Sequence, residues 1–497
     1  MKSVYFVQNG LLSASRCAQE MNLCSFLLVI PEDLLAHVVP ASRALLVLQA
    51  NHALRAWGSR LRLSVHVTPS AALVREYNNS TRYVDSFYTA QHFLDRSLHM
   101  TAGFHIEHFA LENVSVDETS LLAKMLQLSP RLKVLNLHNN RMNEDKMHAL
   151  LSAVPASLEE LRFTKQFIKV CSVEFVGRLV KRLSCLRVLD LTQNYINAAG
   201  CKFITSSIAS NVLQELALGF NHIKSEQQTP ALPNHLGLDR FALTHLDVRH
   251  NMLKSNLHNS ILKCLAVSAG RLHDLDLSYN DMHAHGVSVL SQSLKSCSAL
   301  RRLVLAGNSM QNEGFCLLMC VLSPPSGAGG IALHALDVGD NGLTDCAATL
   351  FARCLSTNRI LHNALHDVSF SSNCLYDFGV KTIVEALLPC RMTRLCLSHT
   401  KCGECAGIIL GSAMQVWSAL RVVHVHENHL RDTSLLMIAT GLCQNQTKRR
   451  ELCVRGNFPC TDTIDRLHTM LSASGIQNDA SPTLFRVTRL EVSNDRP

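Results

Sequence analysis

The chain is 497 residues long, 47% hydrophobic but only 5% aromatic, with 47 basic against 39 acidic residues and a formal charge of +8. So modest a charge for this length, with Lys448-Arg449-Arg450 as the densest basic run, argues against a nucleic-acid-binding arm. No apolar run approaches a membrane span, Met1 to Gly10 lacks the basic-then-apolar order of a secretory signal, and the 19 scattered cysteines then read as small buried hydrophobes of a reducing compartment. The expected setting is intracellular and cytoplasmic, with nuclear, cytoskeletal or ciliary association left open.

Residues 1–103 are expected to form a small, mainly helical domain. Pro31-Glu-Asp-Leu34-Leu35-Ala-His-Val38-Val39 sets a proline near a helix start, acids in the first turn and an apolar stripe behind them. Ala44 to Gln49 and Ala53 to Trp57 read as two further short helices. Ile30, Pro31, Asp33, Leu34, Leu35, Leu45, Leu46, Leu48 and Trp57 together resemble an F-box, the module that docks on the Skp-type adaptor of cullin-based ubiquitin ligases. The resemblance implies adaptor binding through Pro31, Leu34, Leu35 and Val38. The linker after Val39 is shorter than in that pattern and the step from Leu46 to Trp57 longer, and a helical cap over the first repeat is the other reading. Arg60 to Val67 then alternates like a strand, and Glu76 to His99 reads as a helical linker.

Residues 104–497 carry about twelve copies of Leu-x-x-Leu-x-Leu-x-x-Asn-x-Leu, with starts 26 to 33 residues apart, the signature of a solenoid. Two clean copies begin at Leu186 and Leu272. Residues two apart on a strand point the same way, so Leu189 and Leu191 are expected inside while Asp190 and Thr192 face out. The Asn that follows, as at Asn194, Asn221, Asn251, Asn280, Asn308, Asn341 and Asn373, has a side-chain amide able to bond neighbouring backbone. A glycine six residues on (Gly200, Gly286, Gly314, Gly379) opens apolar spacing of helical period, such as Leu290 and Leu294, so each repeat returns along a helix. Ile106, Phe109 and Leu111 read as a degenerate first copy, and Leu490-Glu-Val492 as a closing strand.

These residues resemble the ribonuclease-inhibitor-like class of leucine-rich repeats. The resemblance implies an α/β solenoid, a horseshoe with a concave parallel sheet and convex helices, capped at both ends because no repeat buries its apolar face alone. It also implies a non-catalytic protein-binding scaffold, with no cofactor, that takes a protein partner on the concave face. The alternatives it leaves are an F-box substrate receptor and a regulator of an enzyme, a GTPase or an axonemal dynein complex. The acidic tail of the Ran GTPase-activating protein has no counterpart, the chain ending Asn494-Asp-Arg-Pro497.

Between the second and third Leu of each copy stands one outward residue, and four of these are Asp190, Asp247, Asp276 and Asp337. Like charges on neighbouring strands repel, so the ladder is expected to favour a basic partner. Toward the C-terminus the same face turns basic and imidazole-rich, and His424 and His426 share one strand face as a partner-facing patch. Ser278 is expected to be exposed and Ser291 to lie on the helix surface. Cys402-Gly-Glu-Cys405 has the spacing of a zinc knuckle, but Cys402 fills a buried Leu slot and no second pair accompanies it. Cys316 and Cys320 are expected to pack in the core, and Cys396 to point outward. No phosphate-binding Gly-x-x-x-x-Gly-Lys run, His-Glu-x-x-His or Gly-x-Ser-x-Gly occurs.

Overall fold

A computed structural model describes residues 105–473, less 113–118, 128, 141, 169–171, 211, 225–237, 239–240, 255–258, 324–330 and 445–450, together with the strands Val4–Phe6 and Arg62–Val67. Pro31, Leu34, Leu35, Val38, the expected boundary at 103 and the closing strand Leu490 to Val492 lie outside the described residues. Two compact units result, Met1–Ile223 with His235–Phe241, and Lys224–Asn234 with Ala242–Pro497.

In the first unit, β1 (Val4–Phe6), β2 (Arg62–Val67), β3 (His105–Glu112), β4 (Val134–His138), β5 (Glu160–Thr164), β6 (Val188–Asp190) and β7 (Glu215–Ala217) pair in parallel in chain order. The second repeats the plan with β8 (His245–Asp247), β9 (Asp274–Asp276), β10 (Arg302–Val304), β11 (Ala335–Asp337), β12 (Asp367–Ser369), β13 (Arg394–Cys396), β14 (Val422–His424) and β15 (Glu451–Cys453). Between most strands the chain returns along one helix, for example Val173–Arg182 after β5 and His283–Leu294 after β9. Each repeat is therefore a strand and a helix, and its period-two Leu pair, such as Leu275 and Leu277, is wholly buried between them. The fold is the α/β leucine-rich-repeat solenoid that the spacing predicts.

The expected Asn role is met atom by atom. Asn280 donates Nδ2 to the Val248 carbonyl of the preceding repeat at 3.0 Å and to Leu277 O at 2.9 Å, while its Oδ1 accepts from Asn251 N at 2.9 Å. Asn308, Asn341 and Asn373 repeat the pattern, so one buried amide joins each turn to the next. In one repeat of the first unit Gln166 fills the slot, reaching Leu137 O at 2.9 Å. At Thr400 the shorter side chain bonds Leu397 O and Asn428 Oδ1, both in its own or the following repeat, and reaches no carbonyl of the preceding one.

Small residues set the helix spacing where it is tightest. A Cβ at Gly411 would stand 2.6 Å from Met437 Cβ, and one at Gly441 2.8 Å from Met414 Cβ, so helices Glu404–Met414 and Asp432–Gln444 meet backbone to backbone.

Candidate functional site: the open face of the sheet

The face of each sheet away from the helices presents one row of residues per strand. The four expected aspartates all stand on it, but they form no single ladder. Asp190 belongs to the first unit and the others to the second. Asp247 pairs with Asp276 in register, whereas Val304 separates Asp276 from Asp337.

Each aspartate closes the turn that ends its own strand. Oδ1 of Asp190 accepts from Thr192 N at 3.0 Å, that of Asp247 from Arg249 N at 3.0 Å, that of Asp276 from Ser278 N at 3.0 Å, and that of Asp337 from Gly339 N at 3.0 Å. Asp190 and Asp276 also accept the Thr192 and Ser278 hydroxyls at 2.6 Å. This local acceptor role explains why the repeat so often reads Leu-Asp-Leu. The expected repulsion is offset by cations drawn into the row: Arg249 stands 3.4 Å from Asp247 and 3.6 Å from Asp276, and Arg302 lies 2.9 Å from Asp274.

Three expectations need correction. Asp276 and Ser278 are 6% and 4% exposed rather than open to solvent, because they bond each other under Arg249. Ser291 is buried against the helix interior. Cys396 points to the open face as expected, in register with Ser369, and is 5% exposed there. Cys320 is exposed and Cys316 half-buried, since Phe315, Leu318, Met319 and Leu322 take the inner stripe of their helix.

At the other end of the second unit the row changes character. His424 Nδ1 lies 3.5 Å from Cys396 Sγ, and its Nε2 lies 2.8 Å from Glu451 Oε1. Ser398 Oγ lies 2.8 Å from His426 Nδ1, and the His399 and His424 rings stand 5.5 and 6.1 Å from that of His426. Burial, helped by Arg455, His399 and His424, pushes the His426 imidazole down to about 4, against the partial opposition of Glu427. Cys402 is buried as expected and pushed up to about 11 by burial, while Cys405 is exposed. Among the described residues no three His, Cys, Asp or Glu side chains are grouped to hold a metal ion.

One feature escaped the repeat reading. The residue directly after the recurrent polar slot is an exposed ring in three consecutive repeats of the first unit, Phe167, Tyr195 and His222. Their centroids stack at 5.8 and 5.3 Å. His250 and Tyr279, each directly before that slot, stack at 4.3 Å in the second unit. Phe167, Tyr195, His250 and Tyr279 hold left-handed φ of 57°, 58°, 53° and 54°, a conformation bulky residues rarely adopt. The signal was available in the sequence, as aromatics at a turn position where Asn or Gly is the easy choice.

The chain is similar to several known proteins. No family model matches the chain. It is 25% identical over 375 residues to the ribonuclease inhibitor of Sus scrofa, covering 73% of this chain and 80% of that protein. It is 28% identical over 347 residues to the human NACHT, LRR and PYD domains-containing protein 13, covering 68% of this chain but 31% of that protein. Among solved structures, the Rad7 and Elc1 complex of yeast aligns over 79% of this chain and 88% of its own at 12% identity and a TM-score of 0.44. A leucine-rich-repeat protein of Leptospira interrogans aligns over 77% and 86% at 14% identity and a TM-score of 0.38. The chain folds as a leucine-rich-repeat solenoid and is similar in sequence to ribonuclease inhibitors and to NACHT, LRR and PYD domains-containing proteins. No helix among the described residues is long and apolar enough to cross a membrane.

Proposed function

We propose that the chain is a non-catalytic protein-binding scaffold that docks a protein partner on the open face of its sheet, through Asp247 and Asp337 toward one end of the second unit and His424 and His426 toward the other. The supporting observation is the rigidity of the row. Asp247 and Asp337 are fixed by their own turns, and buried amides tie each turn to the next, so little conformational entropy is lost on binding. The sixteen cysteines of the described residues are all free thiols, which fits a reducing, intracellular setting. Affinity purification with mass spectrometry identifies the partner, and binding kinetics then test the face. Asn keeps the turn acceptor while removing charge, so Asp247→Asn with Asp337→Asn should slow association in a salt-dependent way. Glu385→Gln, an equal loss of charge on a helix surface, should not. Equal rates for all three proteins would move the docking surface elsewhere.

A further inference from the structure

Cys396, His424 and Glu451 stand on three consecutive strands and touch in a line, with Sγ 3.5 Å from Nδ1 and Nε2 2.8 Å from Oε1. A carboxylate at Nε2 holds the proton on that nitrogen, which leaves the Nδ1 lone pair facing the thiol. The same carboxylate stabilises the imidazolium that forms if His424 takes the thiol proton. Nucleophile, base and orienting group in sequence are what activate a thiol. Burial is the largest influence on the Cys396 thiol and pushes it up, with Asp367 and Asp337 adding to the rise; Arg394, two residues earlier on the same strand face, opposes them only in part, so His424 must take the proton as the thiol reacts.

We propose that Cys396 is a covalent modification site for small soft electrophiles of the α,β-unsaturated carbonyl class, with His424 as its base and Glu451 as the residue that positions that base. The thiol proton passes to His424 Nδ1, and the Sγ electron pair forms a bond to the β-carbon. The carbon–carbon π pair moves to the α-carbon and carbonyl, and the imidazolium returns its proton to the α-carbon. Every atom of both reactants is kept, and no oxidant or leaving group is required. Close cover over the sulfur selects small reagents. An adduct would project from the row assigned above to partner docking, so the electrophile would control that docking. This last consequence rests on the docking proposal, whereas the labelling test below needs no partner and fails or succeeds separately.

The probe is N-ethylmaleimide at trace dose on the native full-length protein, with site occupancy read by peptide mass spectrometry across neutral to alkaline pH. Exposed Cys185 and Cys320 serve as internal references. Burial without activation would make Cys396 the slowest of the three. Activation should instead make it about tenfold faster than either reference at neutral pH, with less gain toward alkaline pH. His424→Ala should drop Cys396 below both references, and Glu451→Gln should slow it several-fold while the reference rates stay unchanged. Slower labelling of Cys396 than of Cys185 in the wild-type protein overturns the proposal, as does an unchanged Cys396 rate in a folded His424→Ala protein. The wild-type ranking decides the matter should either variant fail to fold.

Discussion

The two ends of the open face in the second unit fill the same repeat position with different chemistry and bond in different directions. On β8, β9 and β11 the strand-ending Asp turns back to the amide two residues on. On β13 and β14, Cys396 and His424 occupy that position and bond across repeats, 28 and 27 residues away in the chain. An aspartate there serves its own turn, and its charge is a by-product of a structural task. A thiol or imidazole there links repeats and leaves its turn to the backbone. The polar slot shows a related contrast, since the Asn280 side chain reaches back to a carbonyl of the preceding repeat where that of Thr400 does not. The second end is thus less regular and chemically richer.

That contrast can be broken by substitution, beginning in the core that both ends share. Leu275→Asp buries an unpaired charge and should cost about 3–5 kcal/mol in equilibrium denaturation. Ser278 is a poor exposed control because it is buried against Asp276, and Glu385→Gln, expected within about 0.5 kcal/mol of wild type, replaces it. A loss at Leu275 no larger than at Glu385 would contradict the inside-outside assignment.

Next in size is the polar slot. Asn280→Ala orphans buried carbonyls and an amide in two repeats and should cost about 2–3 kcal/mol, whereas Thr400→Ala should cost about 1 kcal/mol. Matching losses at the two sites would mean that the bonds back to the preceding repeat carry no extra weight. Similar in size to Thr400→Ala, Asp276→Ala removes the turn acceptor and should cost about 1 kcal/mol, most of which Asp276→Asn should restore.

The imidazole end should differ in its response to acid. The His426 folded pKa of about 4 lies below the ordinary value of 6.5, so the unfolded chain binds more protons between these limits. Its contribution to stability is complete above 6.5 and is lost as pH falls through that window toward 4. His426→Gln should flatten the pH dependence of the melting temperature there, while Asp247→Asn should leave its slope unchanged. An unaltered slope in His426→Gln would place the sensitivity on other groups, with His250 and His334, also lowered by burial, the first to test.

Much of this protein was legible in its sequence because a solenoid repeats one local problem. Leu275 and Leu277 inside, Asn280 in the turn and Gly314 against the Ala284 backbone each follow from spacing, and each recurs a repeat away under the same constraint. Periodicity assigned the aspartates to one face correctly, but it treated them as free charge. Whether an outward position is open depends on what the neighbouring rows lay over it, and that is a property of register between strands. Arg249 over Asp276, and neighbouring rows over Cys396, are pairings of residues about one repeat apart whose side-chain paths no single copy contains. The sequence by itself determined strand, turn and helix, because these answer to interactions within one repeat. Only the tertiary structure decided that Cys396, His424 and Glu451 meet, because stacking brings into contact groups that the chain holds a full turn of the solenoid apart.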